Sequence, residues 1–370
     1  MDQCGSKKTK AVVLRCYEGF PWSVDDVYNV RALIAELAFD PDSSYTVHLL
    51  VEVHSRDLAF QTSARARLAA LQRSIPREFW SLVTLWSEDQ MASLYPRLPL
   101  TQGLLNHMSA HSSYRSCFMP LQKFALDHED YDFIWNWEMD VRSTFDYRTI
   151  IEAVEGYART EETSASASHW SLSGRLASGA GKQEADLITL NPMFDVKGSG
   201  WYWSYDVQNY PDEQETERRA SIGTTVRFSR RMLQQMNLAN ADDKRSMQCT
   251  SFPASVALHS HYSNQEWARL YSAPRPDPPL KAVYVRHPIY MGHRWDSQKL
   301  LRALSRPDFY MKANEKTMRD ASFYYDGGHA RAIYLGWMNN DRSVCRAPSL
   351  LHPIKSFHLA KRAPPTSASM

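Results

Sequence analysis

Two acids one residue apart, Glu138 and Asp140, close the run Tyr131-Asp132-Phe133-Ile134-Trp135-Asn136-Trp137-Glu138-Met139-Asp140-Val141. The apolar and aromatic residues before them predict a buried strand. Side chains alternate along a strand, so Glu138 and Asp140 share one face while Trp135, Trp137 and Met139 take the other. Neighbouring carboxylates repel, and they are tolerated where a hard cation lies between them or where both reach water. The hydrophobicity of the strand favours a cation. Ordinary surface acids at a strand tip are the other reading, and the motif alone does not choose. Open α/β sheets hold ligands beyond the C-terminal ends of their strands, which is where this pair falls.

Histidines are the next candidates for chemistry. His259 and His261 form a His-x-His pair that would share a face on a strand and could both hold a metal. No Glu or Cys stands at a supporting spacing, so a local structural role is the better expectation, and a metal hydrolase is the weaker one. His287 closes a predicted strand at Ala282 to Val285, which brings its imidazole to the ligand-bearing edge. His293 and His352 come later in the chain.

Positioning these groups requires a sheet. Ala11 to Cys16 reads as a short apolar strand, followed by a turn and a helix with Ser23 as N-cap. Asp26, three residues on, stands where a capping box normally has Glu or Gln. Further strands are predicted at Tyr45 to Val53, Leu82 to Trp86, Ala185 to Asn191 and Lys281 to Val285. Helices fall at Ala64 to Arg73, Pro120 to His128 and Thr149 to Ala158, and Thr225 to Met236 reads as a strand passing into a helix. This alternation predicts an α/β fold with a mostly parallel central sheet flanked by helices. The expected organisation is one domain over residues 11–355, with a flexible Ser-, Ala- and Gly-rich insertion at 160–183. Residues 1–10 and 356–370 read as disordered ends.

Composition narrows the function. The 370 residues are 43% hydrophobic and 23% charged, ordinary for a globular protein, and a net charge of +2 with no long basic run gives no electrostatic case for a nucleic-acid partner. The five cysteines show no Cys-x-x-Cys spacing, which argues against a zinc ribbon and leaves one or two disulfides open. No signal peptide or membrane-spanning run is visible, so the expected setting is cytoplasmic. The loop Tyr17-Glu18-Gly19-Phe20-Pro21 after the first strand has neither a Walker nor a Rossmann glycine pattern. Without such a loop, a diphosphate ligand needs a metal to neutralise it. Mg²⁺ or Mn²⁺ on paired carboxylates does this in nucleotide-sugar transferases, where it stabilises the departing nucleoside diphosphate.

The segment Trp135-Asn136-Trp137-Glu138-Met139-Asp140-Val141-Arg142 resembles the hallmark of a large fungal family of unknown function, often regarded as glycosyltransferase-like. The stretches Leu14 to Gly19, His48 to Val53, Leu85 to Glu88, Met119 to Phe124, Glu184 to Pro192, Phe252 to His259 and Leu351 to Pro353 support the likeness. The resemblance implies a GT-A-like fold, a nucleotide-sugar donor and an unknown acceptor. It places Glu138 and Asp140 at the metal, with His287 or His293 as the late histidine completing the shell. Arg15 and Glu18, at the end of the first strand, fall where the nucleotide is received, and Trp137 is placed with them as a cofactor contact. Asp186 and Asp195 are candidates for the general base of an inverting reaction. Members of that family often carry an N-terminal membrane anchor, which is not seen here. A non-catalytic scaffold that keeps the same sheet is the alternative.

Overall fold

The computed structural model describes residues 9–54, 59–98, 109–160, 184–193, 206–211, 216–285, 323–324, 327–340 and 350–355. Strand β1 (Lys10–Tyr17) leads into helix α1 (Val24–Leu37), then β2 (Tyr45–Glu52), α2 (Ala59–Thr62) and α3 (Ala64–Ser74). A 3-10 turn at Arg77–Leu82 precedes β3 (Val83–Trp86), α4 (Glu88–Leu94), α5 (Met119–Asp127) and β4 (Phe133–Glu138). Next come β5 (Arg142–Ser143), α6 (Tyr147–Thr160), β6 (Leu187–Met193), β7 (Val207–Gln208), β8 (Ala220–Ser229) and α7 (Arg230–Ala241). The remaining elements are β9 (Ser246–Met247), α8 (Phe252–His259), α9 (Asn264–Leu270), β10 (Ala282–Val285), β11 (Phe323–Tyr324), α10 (Gly327–Met338) and β12 (Leu350–Leu351).

Seven strands form the central sheet in the order β10-β6-β8-β4-β1-β2-β3. All run parallel except β8, which lies antiparallel between β4 and β6. A strand buried on both faces must be apolar throughout, and β1 is: Ala11 and Val13 pack into one core layer, Val12 and Leu14 into the other. The predicted alternation in β4 holds. Trp135 and Trp137 enter the same layer as Val12 and Leu14, whereas Ile134 packs on the opposite side.

The start of α1 follows its local chemistry. Asp26 N–H donates to Ser23 Oγ at 3.1 Å, and Ser23 N–H donates to Asp26 Oδ2 at 2.9 Å, so aspartate completes the capping box. One buried ion network ties α6 to the sheet. Glu155 receives Lys10 on one oxygen, while Trp135 Nε1 (3.0 Å) and Arg227 Nη1 (3.3 Å) meet the other. Strand β4 stops at Glu138, where Val141 N–H donates to Glu138 O at 3.2 Å and turns the chain. Asp140 therefore sits in a turn and not on the strand. The predicted insertion beyond residue 160 and the predicted disordered ends up to residue 8 and from residue 356 lie outside the described residues.

Candidate metal centre and its cavity

Arg15 pairs in register with Glu138, so both side chains leave the C-terminal end of neighbouring strands on one face. Arg15 Nη2 lies 2.6 Å from Glu138 Oε1, and its Nη1 donates to Cys117 O at 3.4 Å. A third group arrives from far along the chain. The short strand β12 pairs antiparallel with β5, setting Leu351 opposite Arg142, and so delivers His352 to the acids. His352 Nε2 lies 3.0 Å from Glu138 Oε2 and 3.3 Å from Asp140 Oδ1. Lys355 Nζ stands 3.6 Å from Asp140 Oδ2.

Glu138, Asp140 and His352 each offer a ligand atom, and these lie within 4.8 Å of one another. Two hard carboxylate oxygens with one imidazole nitrogen suit Mn²⁺ and are compatible with Mg²⁺. The Nε of Arg15 is buried without a hydrogen-bond partner, which leaves donor capacity beside the acids for an anion. The residues present fit a divalent cation with an anionic ligand. Without one, the site is held by its own charges. Burial lowers the affinity of His352 for a proton, but its hydrogen bonds to Asp140 and Glu138 prevail and hold its pKa at about 9. Burial likewise opposes the charge on Asp140, yet His352 and Lys355 keep its pKa below the usual carboxylate range.

A cavity of about 470 Å³ opens from this cluster along the C-terminal edge of the sheet. Arg15, Tyr17, Glu52, Trp86 and Tyr114 line it together with the two acids. The free thiol of Cys16 also borders it, but burial pushes that thiol up to about 12, so it is no nucleophile near neutral pH. The turn out of β1 needs Gly19, whose φ is +77°.

Other predicted site residues lie elsewhere. Trp137 is 1% exposed and packs edge-on against Trp135 and Tyr147, so it belongs to the core and not to a cofactor contact. Glu18 binds Arg73 Nε at 2.5 Å and accepts the His54 amide at 3.0 Å; these partners overcome burial and lower its pKa. Asp186 precedes β6 at the opposite edge of the sheet. Its backbone carbonyl accepts Ser229 N–H, and Ser229 pairs with Phe133, five residues before Glu138. At about 3.3 Å per residue, that leaves roughly 17 Å to the acid pair. Its carboxylate is taken by Arg231 (2.6 Å), Ser229 Oγ (2.7 Å) and Lys281 N–H (2.9 Å), so it anchors elements and the structure does not bring it to the cavity. Asp195, His287 and His293 lie outside the described residues.

The His-x-His pair does not form a metal site. His259 ends helix α8, and His261 follows in a turn. His259 Nε2–H donates to Glu217 O at 2.7 Å, and Nδ1 accepts from the Tyr271 hydroxyl at 2.8 Å. His261 turns to Leu280 O at 2.9 Å. A disulfide joins Cys117 to Cys249 beside the carbonyl that Arg15 binds. Among the described residues, no helix is long and apolar enough to cross a membrane.

Sheet, cavity and side-chain cluster together define an α/β protein with a mostly parallel central sheet and a candidate site at its C-terminal edge. The chain belongs to the DUF3405 family, described as "Protein of unknown function (DUF3405)", whose model matches residues 2–175, 174–265 and 278–356. Among curated proteins none matches it. Of the solved structures, it is similar to mouse xyloside xylosyltransferase 1 in its apo form, at 11% identity and TM-score 0.30, over 70% of this chain and 83% of that one. It is also similar to an active-site mutant of LgtC, at 11% identity and TM-score 0.31, over 84% of this chain and 99% of that one. A third likeness is to the mannosyltransferase PcManGT from Pyrobaculum calidifontis in complex with GDP-Man and Mn²⁺, at 12% identity and TM-score 0.29, over 77% of this chain and 56% of that one.

Proposed function

We propose that this protein is a metal-dependent glycosyltransferase that moves a sugar from a nucleoside-diphosphate donor to an acceptor. The observation that carries the reading is the convergence of Glu138, Asp140 and His352 on one cavity at the C-terminal edge of the sheet. In this reading those three residues would hold Mn²⁺ or Mg²⁺, which would supply the positive charge that stabilises a departing diphosphate. Arg15 and Lys355 flank the triad and supply fixed positive charge to the same anion. Tyr17, Trp86 and Tyr114 give the cavity apolar faces for the rest of the donor. Asp195 remains the proposed base. Asp186 is read as structural, because its carboxylate is saturated at the far edge.

A second reading, a non-catalytic scaffold, draws on one observation: Arg15, His352 and Lys355 already neutralise the acid pair. Thermal unfolding separates the two. For a donor site, Mn²⁺ with UDP or GDP at a hundred times its dissociation constant adds about 2.7 kcal/mol, and the melting temperature rises with it. Glu138→Ala, Asp140→Ala and His352→Ala should each remove that gain. A shift of equal size in Asp140→Ala would refute the assignment of these acids, and no shift in the parent chain would leave the scaffold.

The disulfide also bears on where the protein works. Such bonds persist in oxidising compartments and are uncommon in the cytoplasm, so we read Cys117–Cys249 as favouring a lumenal or extracellular setting over the cytoplasmic expectation. Peptide mapping of non-reduced protein from its native source should recover the Cys117 and Cys249 peptides linked. Recovering both as free thiols would count against that setting.

A further inference from the structure

Every backbone carbonyl of the turn that carries Asp140 is held. Arg142 Nη1 donates to Met139 O at 2.8 Å and to Val141 O at 3.1 Å, and Asn29 Nδ2 donates to Val141 O at 3.2 Å. Ile354 N–H donates to Asp140 O at 2.8 Å. The clamp on the turn is thus shared between Arg142 and the segment that bears His352. The backbone of Arg142 also pairs with Leu351, so this one residue governs where two of the three candidate ligands stand.

Arg142 is itself fixed from outside the site. It is 1% exposed, with Nε on Asp25 Oδ2 at 2.8 Å and Nη2 on Asp26 Oδ1 at 2.5 Å. The second oxygen of Asp25 accepts the Tyr334 hydroxyl of α10 at 2.6 Å. A guanidinium is a rigid planar fork, so anchoring Nε fixes the direction in which Nη1 meets the turn carbonyls. Asp25 and Asp26 set that plane together, and Tyr334 holds the Asp25 carboxylate in the orientation that meets Nε.

We propose that Asp25 and Tyr334 are positioning residues that set the affinity of the Glu138–Asp140–His352 site for a divalent ion, acting through Arg142 without touching the site. This rests on the metal reading above. The hydroxyl of Tyr334 is dispensable for packing, because the ring stays stacked on Trp337 when only the oxygen is lost. Without that oxygen Asp25 turns, the fork tilts, and the Asp140 turn loses its fixed geometry.

The test is a Mn²⁺ titration of the full chain, followed by the electron paramagnetic resonance signal of the free ion, in the parent, Tyr334→Phe and Asp25→Asn. Loss of a partner behind a ligand typically weakens metal binding about 10- to 100-fold, and both variants should show a loss in that range. The melting temperature of the metal-free protein, measured beside it, reads any purely structural role. Should melting temperatures fall while Mn²⁺ affinity stays at the parent value in both variants, the inference is overturned and the metal site survives. If Asp25→Asn fails to fold, Tyr334→Phe alone decides. A parent chain that takes up no Mn²⁺ overturns the metal reading itself, and this inference with it.

Discussion

Glu155→Gln is expected to destabilise the protein by about 3–5 kcal/mol, the usual cost of removing one partner from a buried ion pair. The side chains of Glu155 and Arg227 are 1% and 0% exposed, and Lys10 also leans on the same carboxylate. Burial alone would raise the pKa of Glu155, but Arg227 and Lys10 outweigh it and hold the group below its ordinary value. Glutamine can still accept the Trp135 indole N–H, so the substitution removes charge while keeping shape. What it leaves is a guanidinium in the core whose remaining acidic partner is the half-exposed Glu184 at 3.1 Å, plus the Ala185 carbonyl at 2.8 Å. Its ring contact with Phe133, at 4.3 Å, does not replace a counter-charge. Urea unfolding with an unchanged slope would report the loss as stability alone. The double variant Glu155→Gln with Arg227→Met should recover much of it, because no guanidinium is then left in the core without its counter-charge while glutamine still accepts the Trp135 N–H. A Glu155→Gln midpoint equal to that of the parent chain would show that the network carries no weight.

How much of this was legible beforehand depends on what kind of signal each residue gives. Strands and helices of the first half show strong periodicity, and β1, β2, β3, α3, α5 and α6 fall within a few residues of their predicted spans. Glu138 was legible because alternation along β4 sends it away from Trp137, whereas Asp140 lies past the strand in a turn, where alternation no longer decides its direction. That same alternation puts Trp137 in the core, against its assignment to a nucleotide. His352 was not legible as the third group. It is placed by β12, a two-residue strand whose partner β5 lies far back in the sequence, and so short a strand has no periodic pattern. The one available hint was the Leu351-His352-Pro353 stretch within the family resemblance. Asp186 looks like a site acid by type alone. Which edge of the sheet it occupies depends on its preceding β6 instead of ending it, and strand polarity is a tertiary property.

Lowering the pH from about 6.5 to about 4 should destabilise the protein, with His259 contributing on the order of 3 kcal/mol. Its imidazole is fully buried, and burial lowers its pKa from 6.5 to about 4 despite the favourable bond to the Glu217 carbonyl. The hydrogen bonds specify the neutral ring, since Nε2–H donates to that carbonyl and Nδ1 must keep its lone pair for the Tyr271 hydroxyl. In the unfolded chain the same histidine titrates near 6.5. Between the two values the unfolded state binds a proton that the folded state refuses, so the contribution of His259 to stability is fully present above 6.5 and is lost as the pH drops toward 4. His48, lowered to about 4 by burial and then by His128, adds a second proton of the same sign. Glutamine at position 259 can donate to Glu217 and accept from Tyr271 without ever titrating. His259→Gln should therefore flatten the dependence of unfolding free energy on pH between 6.5 and 4 by about one proton, leaving the His48 share in place. An equal slope in parent and variant, measured by urea unfolding across that window, would mean the ring is already protonated in the fold and that Tyr271 is not its donor.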